Sequence, residues 1–220
     1  MGTIERTVHC GLFDELVYRG AGAMRLVSGD DPMVSIRGPE DLVQRVNVRT
    51  RGMKLIVSLR FGPNPMALLE GLSDKLEIIA VTDSVTTVKA QGAGSVILGR
   101  GTDHPIASEE LKVINSGAGT LRGDVSAGTL KIRIRGVGRV ELSGDTQRLD
   151  ACLSGIGSLD AGELVAQSAR VLINSIGSAS LMVLDEITAT MNGMGSLSYR
   201  GPAVLTRRGG NTRGAIDHLD

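Results

Sequence analysis

The stretch Leu130-Lys131-Ile132-Arg133-Ile134-Arg135-Gly136-Val137-Gly138-Arg139-Val140 decides how this chain is read. Its first half alternates aliphatic and basic residues with period two, the pattern of a half-buried strand. Its second half is a glycine phrase that recurs along the chain. Upstream it reads Gly92-Ala93-Gly94-Ser95 and Gly117-Ala118-Gly119-Thr120. Downstream it reads Gly155-Ile156-Gly157-Ser158, Ser175-Ile176-Gly177-Ser178 and Gly193-Met194-Gly195-Ser196. The second glycine falls at 94, 119, 138, 157, 177 and 195, in steps of 25, 19, 19, 20 and 18 residues. Self-similarity at about 20 residues marks one supersecondary unit stacked on copies of itself.

Aligning the copies gives columns of like residues. Between the glycines lie Ala93, Ala118, Val137, Ile156, Ile176 and Met194. Two residues past the second glycine lie Val96, Leu121, Val140, Leu159, Ala179 and Leu197. Both columns are apolar throughout, so both are expected in the core. The glycines are expected at bends, where φ > 0 is needed or a Cβ would strike the neighbouring copy. Alternation also precedes the other phrases, as in Leu149, Ala151 and Leu153 or Ile187, Ala189 and Met191. Helical period is nearly absent, with Pro65–Glu70 the single short candidate. These features predict an all-β fold: a right-handed parallel β-helix, or solenoid, of about six coils of ~19 residues with an N-terminal β region. The competing reading makes each phrase a hairpin turn in an antiparallel barrel or propeller. The expected organisation is a β cap over 1–80 continuous with the stack, the glycine-phrase stack over 81–206 and a polar tail over 207–220. Gly20-Ala21-Gly22-Ala23 is an outlying copy of the phrase within the cap.

Composition agrees with thin repetitive layers. The chain of 220 residues is 41% hydrophobic but only 2% aromatic, so Val, Ile, Leu, Ala and Met must fill its core. Formal charge is zero, with 24 basic and 24 acidic residues interleaved, which argues against nucleic acid as partner. No apolar run is long enough to span a membrane as a helix. The start, Met1-Gly2-Thr3-Ile4-Glu5-Arg6, lacks an apolar signal region. Cys10 and Cys152 make neither a disulfide framework nor a ligand set, though one bridge between them is conceivable.

The recurring small-x-Gly-Ser phrases, as in Leu153-Ser154-Gly155-Ile156-Gly157-Ser158, resemble those of the head GIN domain family. That family is a bacterial domain of unknown function termed a "putative auto-transporter adhesin". The ending Gly195-Ser196-Leu197-Ser198-Tyr199-Arg200-Gly201-Pro202 resembles its closing glycine-rich strand, and Phe13-Asp14-Glu15-Leu16 before Gly20-Ala21-Gly22 resembles its opening strand. The resemblance spans roughly residues 8–215. It implies a parallel β-helix-like fold and an extracytoplasmic or cell-envelope location, with a cytoplasmic one left open by the missing leader. It implies no established activity and brings no catalytic residues.

Candidate chemistry is sparse. Three residues past the second glycine runs the column Ile97, Arg122, Glu141, Asp160, Ser180 and Ser198. In register, Glu141 and Asp160 stand about 5 Å apart beside Arg122, the carboxyl spacing of retaining glycosidases. The simpler reading pairs Arg122 with Glu141 as an exposed ion pair and leaves Asp160 solvated. One column before the phrase, Asn174 and Asn192 are placed to form an amide ladder. His9, His104 and His218 are scattered without ligand spacing, so no metal is expected. The glycine phrases lack the third glycine and the following helix of a dinucleotide site, and no cofactor is expected. The sequence thus predicts no catalytic, cofactor-binding or metal residue. It predicts a non-catalytic binding, adhesion or scaffold module of the bacterial envelope, with Arg122, Glu141 and Asp160 as its candidate lateral-face site. The partner expected is a protein or glycan, or a second copy through coil ends or flat faces. The alternative is a polysaccharide-acting enzyme using the carboxylate pair.

Overall fold

The computed structural model describes residues 2–60, 75–99, 104–174, 176–207, 210 and 214–219. Its strands are β1 (Thr3–His9), β2 (Glu15–Arg19), β3 (Ala23–Ser28), β4 (Met33–Pro39), β5 (Val46–Arg51) and β6 (Lys54–Leu59). After these come β7 (Glu77–Thr82), β8 (Thr87–Ala90), β9 (Ser95–Leu98), β10 (Ile106–Asn115), β11 (Thr120–Ile134) and β12 (Arg139–Leu153). The last are β13 (Ser158–Ile173), β14 (Ser178–Met191), β15 (Ser196–Arg200), β16 (Val204–Arg207) and β17 (Ala215–His218). A single helical turn, α1 (Glu40–Val43), buries Leu42 and Val43 under the N-terminal strands. Pro65–Glu70 lies outside the described residues.

The strands join in one 17-stranded sheet. The glycine-phrase strands pair in parallel and in register, so that Leu130, Leu149, Ala169 and Ile187 lie side by side. The N-terminal strands break that rule: β1–β4, β4–β7 and β5–β6 are antiparallel. They are also woven into the rest, because β2 and β3 pair in parallel with β8 and β9. Residues 215–218, read above as part of a polar tail, pair as β17 with β15.

This corrects the expected right-handed parallel β-helix of about six coils. The observed architecture is a nearly closed, barrel-like sheet of mixed pairing. Repeat spacing fixes which residues lie side by side, but it carries no information on how the sheet curls and closes. Within the sheet β11, β12 and β13 run for 15, 15 and 16 residues without interruption. They curve within the strand, at Gly123 (φ +149°) and Gly144 (φ +108°) and at register shifts such as that between Glu141 and Ser143, since a bulge bends a strand without ending it.

The two apolar columns have opposite fates. Val96, Leu121, Val140, Leu159, Ala179 and Leu197 are all buried, as strand parity requires. The column between the glycines points outward, and Val137, Ile156, Ile176 and Met194 are 59–66% exposed. Its residues occupy the convex tip of each turn, where the flanking glycines face inward. The expectation that this column lines the core is therefore wrong for a geometric reason: apolar character alone does not say which side of a bend a residue takes.

The phrases need glycine for close approach more than for φ. Among the described residues, Gly22 is the one phrase glycine with positive φ. A Cβ on Gly117 would overlap the Gly92 carbonyl oxygen, one on Gly136 that of Gly117, and one on Gly155 that of Gly136. Backbone bonds run along this ladder, from Ala118 N to Gly92 O and from Ile156 N to Gly136 O. Asn115 is fully buried beside it. Its amide donates to Gly119 O at 2.9 Å and Arg139 O at 3.2 Å, and accepts from Gly117 N. A buried amide so placed has its own polar atoms satisfied by the backbone of two successive turns.

Candidate ligand-binding cleft

The register places the lateral column as one row. Arg25 lies beside Ile97, then follow Arg122, Glu141, Asp160, Ser180 and Ser198 across six strand steps. Neighbouring strands stand ~4.8 Å apart, which brings Arg122, Glu141 and Asp160 together on one face. They line an open depression of about 540 Å³ with Arg25, Ile97 and Glu163. Gly123, whose backbone lies close against Leu98, also lines it.

The simpler sequence reading paired Glu141 with Arg122. In the structure Glu141 Oε1 instead faces Arg139 Nη1 at 3.3 Å, two residues earlier on the same strand. Strand parity explains this, since side chains at i and i+2 share a face. Asp160 is exposed, and its Oδ1 accepts from Gly162 N at 3.4 Å. At the rim, the Ser143 hydroxyl donates to Asp124. The site therefore offers two guanidinium groups, Arg25 and Arg122, and four carboxylates, Asp124, Glu141, Asp160 and Glu163. It suits a polar ligand carrying both charge and hydroxyl groups.

Arg25 and Glu163 are among the lining residues that escaped the sequence reading. Counting three past Gly22 in the outlying phrase gives Arg25, so its signal was present in the column arithmetic. Glu163 enters through a bulge, where Ala161 and Gly162 together oppose Leu142. Its signal is the step of 20 residues between Gly157 and Gly177, one longer than the step before.

Other charged groups tie strands together. Glu15 on β2 meets Lys54 on β6 at 3.0 Å and Lys89 on β8. Burial pushes its carboxyl up, but hydrogen bonds and charge from Lys89 and Lys54 outweigh this and hold it below its ordinary value. Arg133 and Asp150 pair at 3.1 Å, as do Lys131 and Glu110 at 2.6 Å. Such partly exposed pairs contribute ~0–1 kcal/mol each. The amides of Asn174 and Asn192 bond at 2.7 Å. Tyr18 is buried and donates to Ala21 O at 2.9 Å, and burial pushes its phenol up. His218 stacks on Tyr199 at 4.6 Å. His9 lies 3.9 Å from Asp31 at the surface, and His104 is exposed. Cys10 and Cys152 are free thiols. Among the described residues, no three His, Cys, Asp or Glu side chains converge as metal ligands. None of the described helices is long and apolar enough to cross a membrane.

A curled mixed sheet, a ladder of glycines at its turns and an open charged cleft define an all-β protein with a nearly closed, barrel-like sheet. The chain belongs to the family described as "Putative auto-transporter adhesin, head GIN domain", whose profile matches residues 12–203. Solved structures share the fold. A putative adhesin from Bacteroides fragilis superposes with a TM-score of 0.85 at 21% identity, over 99% of this chain and 97% of that one. A putative adhesin from Parabacteroides distasonis gives 0.74 at 16% identity, again over 99% and 97%. A protein from the same organism, titled a putative lipid binding protein, gives 0.71 at 17% identity with the same coverage. No curated protein matches the chain.

Proposed function

We propose that the chain is a non-catalytic adhesion or scaffold module of the bacterial cell envelope that holds a polar protein or glycan segment in the Arg25–Glu163 cleft. The observation that carries this reading is the row of Arg25, Arg122, Glu141 and Asp160 converging on one open depression. Fixed guanidinium and carboxylate groups at strand spacing present a rigid polar template, in which Arg offers forked donors to carboxylates or sugar hydroxyls. The family description and the adhesin names of the structural neighbours support a binding role and an envelope location.

The same row contains the Glu141–Asp160 pair on adjacent strands, the feature that favours a glycan-cleaving enzyme. A retaining glycosidase needs one carboxyl kept protonated by an apolar enclosure. Here Asp160 is exposed and Glu141 faces Arg139, in an open cleft with no aromatic side chain among the described residues that line it. Binding without turnover fits these surroundings better. Arg25→Ala/Arg122→Ala is expected to weaken adhesion to immobilised envelope glycans and proteins by about tenfold or more, since each charge-assisted bond contributes ~1.5–3 kcal/mol. Undiminished adhesion by the folded double variant would remove the cleft as the binding site.

A further inference from the structure

The outward column at the glycine turns forms a second surface, separate from the cleft. Gly92, Gly117, Gly136 and Gly155 stack in register. The residues at their tips therefore form a ridge at ~4.8 Å steps. Its larger members are Val137, Ile156, Ile176 and Met194, each about three-fifths exposed. Glycine stands on both sides of Val137, Ile156 and Met194, so the residues next to them in the chain bring no side chain to shield them. Single exposed aliphatics are ordinary, but a contiguous file of them marks an interaction surface.

Charge identifies the occupant. The column just before the turns, aligned by its backbone bonds, reads Arg19, Gln91, Ser116, Arg135, Ser154, Asn174 and Asn192. The column just after reads Ala23, Ser95, Thr120, Arg139, Ser158, Ser178 and Ser196. From Arg19 to Asn192 and from Ala23 to Ser196 neither holds a carboxylate, the nearest in register being Glu77 beside Ala23, away from the ridge, although the whole chain carries as many acidic as basic residues. Arg19, Arg135 and Arg139 are exposed, and Glu141 of the next column reaches only Arg139. Area argues against a protein partner or a second copy. The ridge is a single file one residue wide, against about 20–30 residues a side in a stable interface. A deformable anionic surface satisfies both constraints, since aliphatic tips insert below the headgroups while arginines and small polar groups stay among them.

We infer that the Val137–Ile156–Ile176–Met194 ridge docks the protein onto an anionic lipid bilayer, leaving the cleft free for its own ligand. The test is flotation with vesicles of phosphatidylglycerol and phosphatidylcholine in equal parts, against phosphatidylcholine alone. The protein is expected to float with the anionic vesicles. Val137→Ser/Ile156→Ser/Ile176→Ser/Met194→Ser should lower that binding by about tenfold or more, and Arg19→Glu/Arg135→Glu should abolish the preference for phosphatidylglycerol. The chain has no Trp, so Ile156→Trp supplies a unique reporter in an otherwise intact protein. Its emission should shift to the blue on adding anionic vesicles. An unbound wild-type protein, a serine variant that floats equally well, or an unshifted emission would each overturn the inference. So would a dimer in light scattering that the serine substitutions dissolve, because the ridge would then serve a second copy.

Discussion

Gly136 and Gly162 lie in successive repeats and answer to different physics. A Cβ on Gly136 would lie 2.0 Å from the Gly117 carbonyl oxygen, backbone that moves only if paired strands part. At Gly162 the nearest atoms to a built Cβ are Ser180 Oγ at 3.5 Å and Asp160 Oδ1 at 3.6 Å, ordinary contact distances. Gly136→Ala is expected to cost about 2–3 kcal/mol in urea unfolding. Gly162→Ala should stay within about 0.5 kcal/mol of wild type. Equal effects at the two sites would refute the close-approach account of the phrase. The same reasoning shows what the sequence discloses about single residues. Glycine type and spacing identify a crowded turn, yet they do not tell whether Val137 at its tip faces core or solvent. That depends on the hand of the bend, which no residue between the glycines encodes.

Among elements, β2, β6 and β8 lie side by side and share one carboxylate. Glu15 accepts from lysines on both neighbours, and its carboxyl is held below the ordinary value despite burial. A carboxyl depressed in the folded state stabilises fully above its unfolded pKa of about 4.3, and that stability is lost as pH falls through the lower folded value. Glu15→Gln should therefore flatten the acid limb of stability below about pH 5 while changing little of the slope above it. A variant whose thermal midpoint falls with acid as steeply as wild type would show that Glu15 does not couple these strands. None of this was legible from spacing, because the first 60 residues lack the repeat that aligns the later strands. Where the repeat holds, the pairing of β11 with β12, β12 with β13, β13 with β14 and β14 with β15 followed from column counting. Where it fails, antiparallel pairs such as β1–β4 bring residues together from 30 positions apart, as Ser35 and Glu5 show. These pairs are also what turns a periodic stack into a mixed, nearly closed sheet.

At the scale of the whole molecule, a rigid curled sheet presents an open row of fixed charges on one face and an aliphatic ridge at its turns. Column arithmetic placed Arg122, Glu141 and Asp160 in one row, but it gave no sense of the bulge that adds Glu163 or of the Arg139 contact that occupies Glu141. The division between binding and turnover rests on that surrounding chemistry. Its most direct test follows both properties in the wild-type protein and in Glu141→Ala/Asp160→Ala. Reducing-end release from bacterial and plant polysaccharides reports cleavage, while retention on the same immobilised polysaccharides and on envelope proteins reports adhesion. A binding cleft predicts that neither protein releases reducing ends and that the double variant adheres with altered strength. Reducing ends released by the wild-type protein and lost in the double variant would show that the carboxylate pair is catalytic.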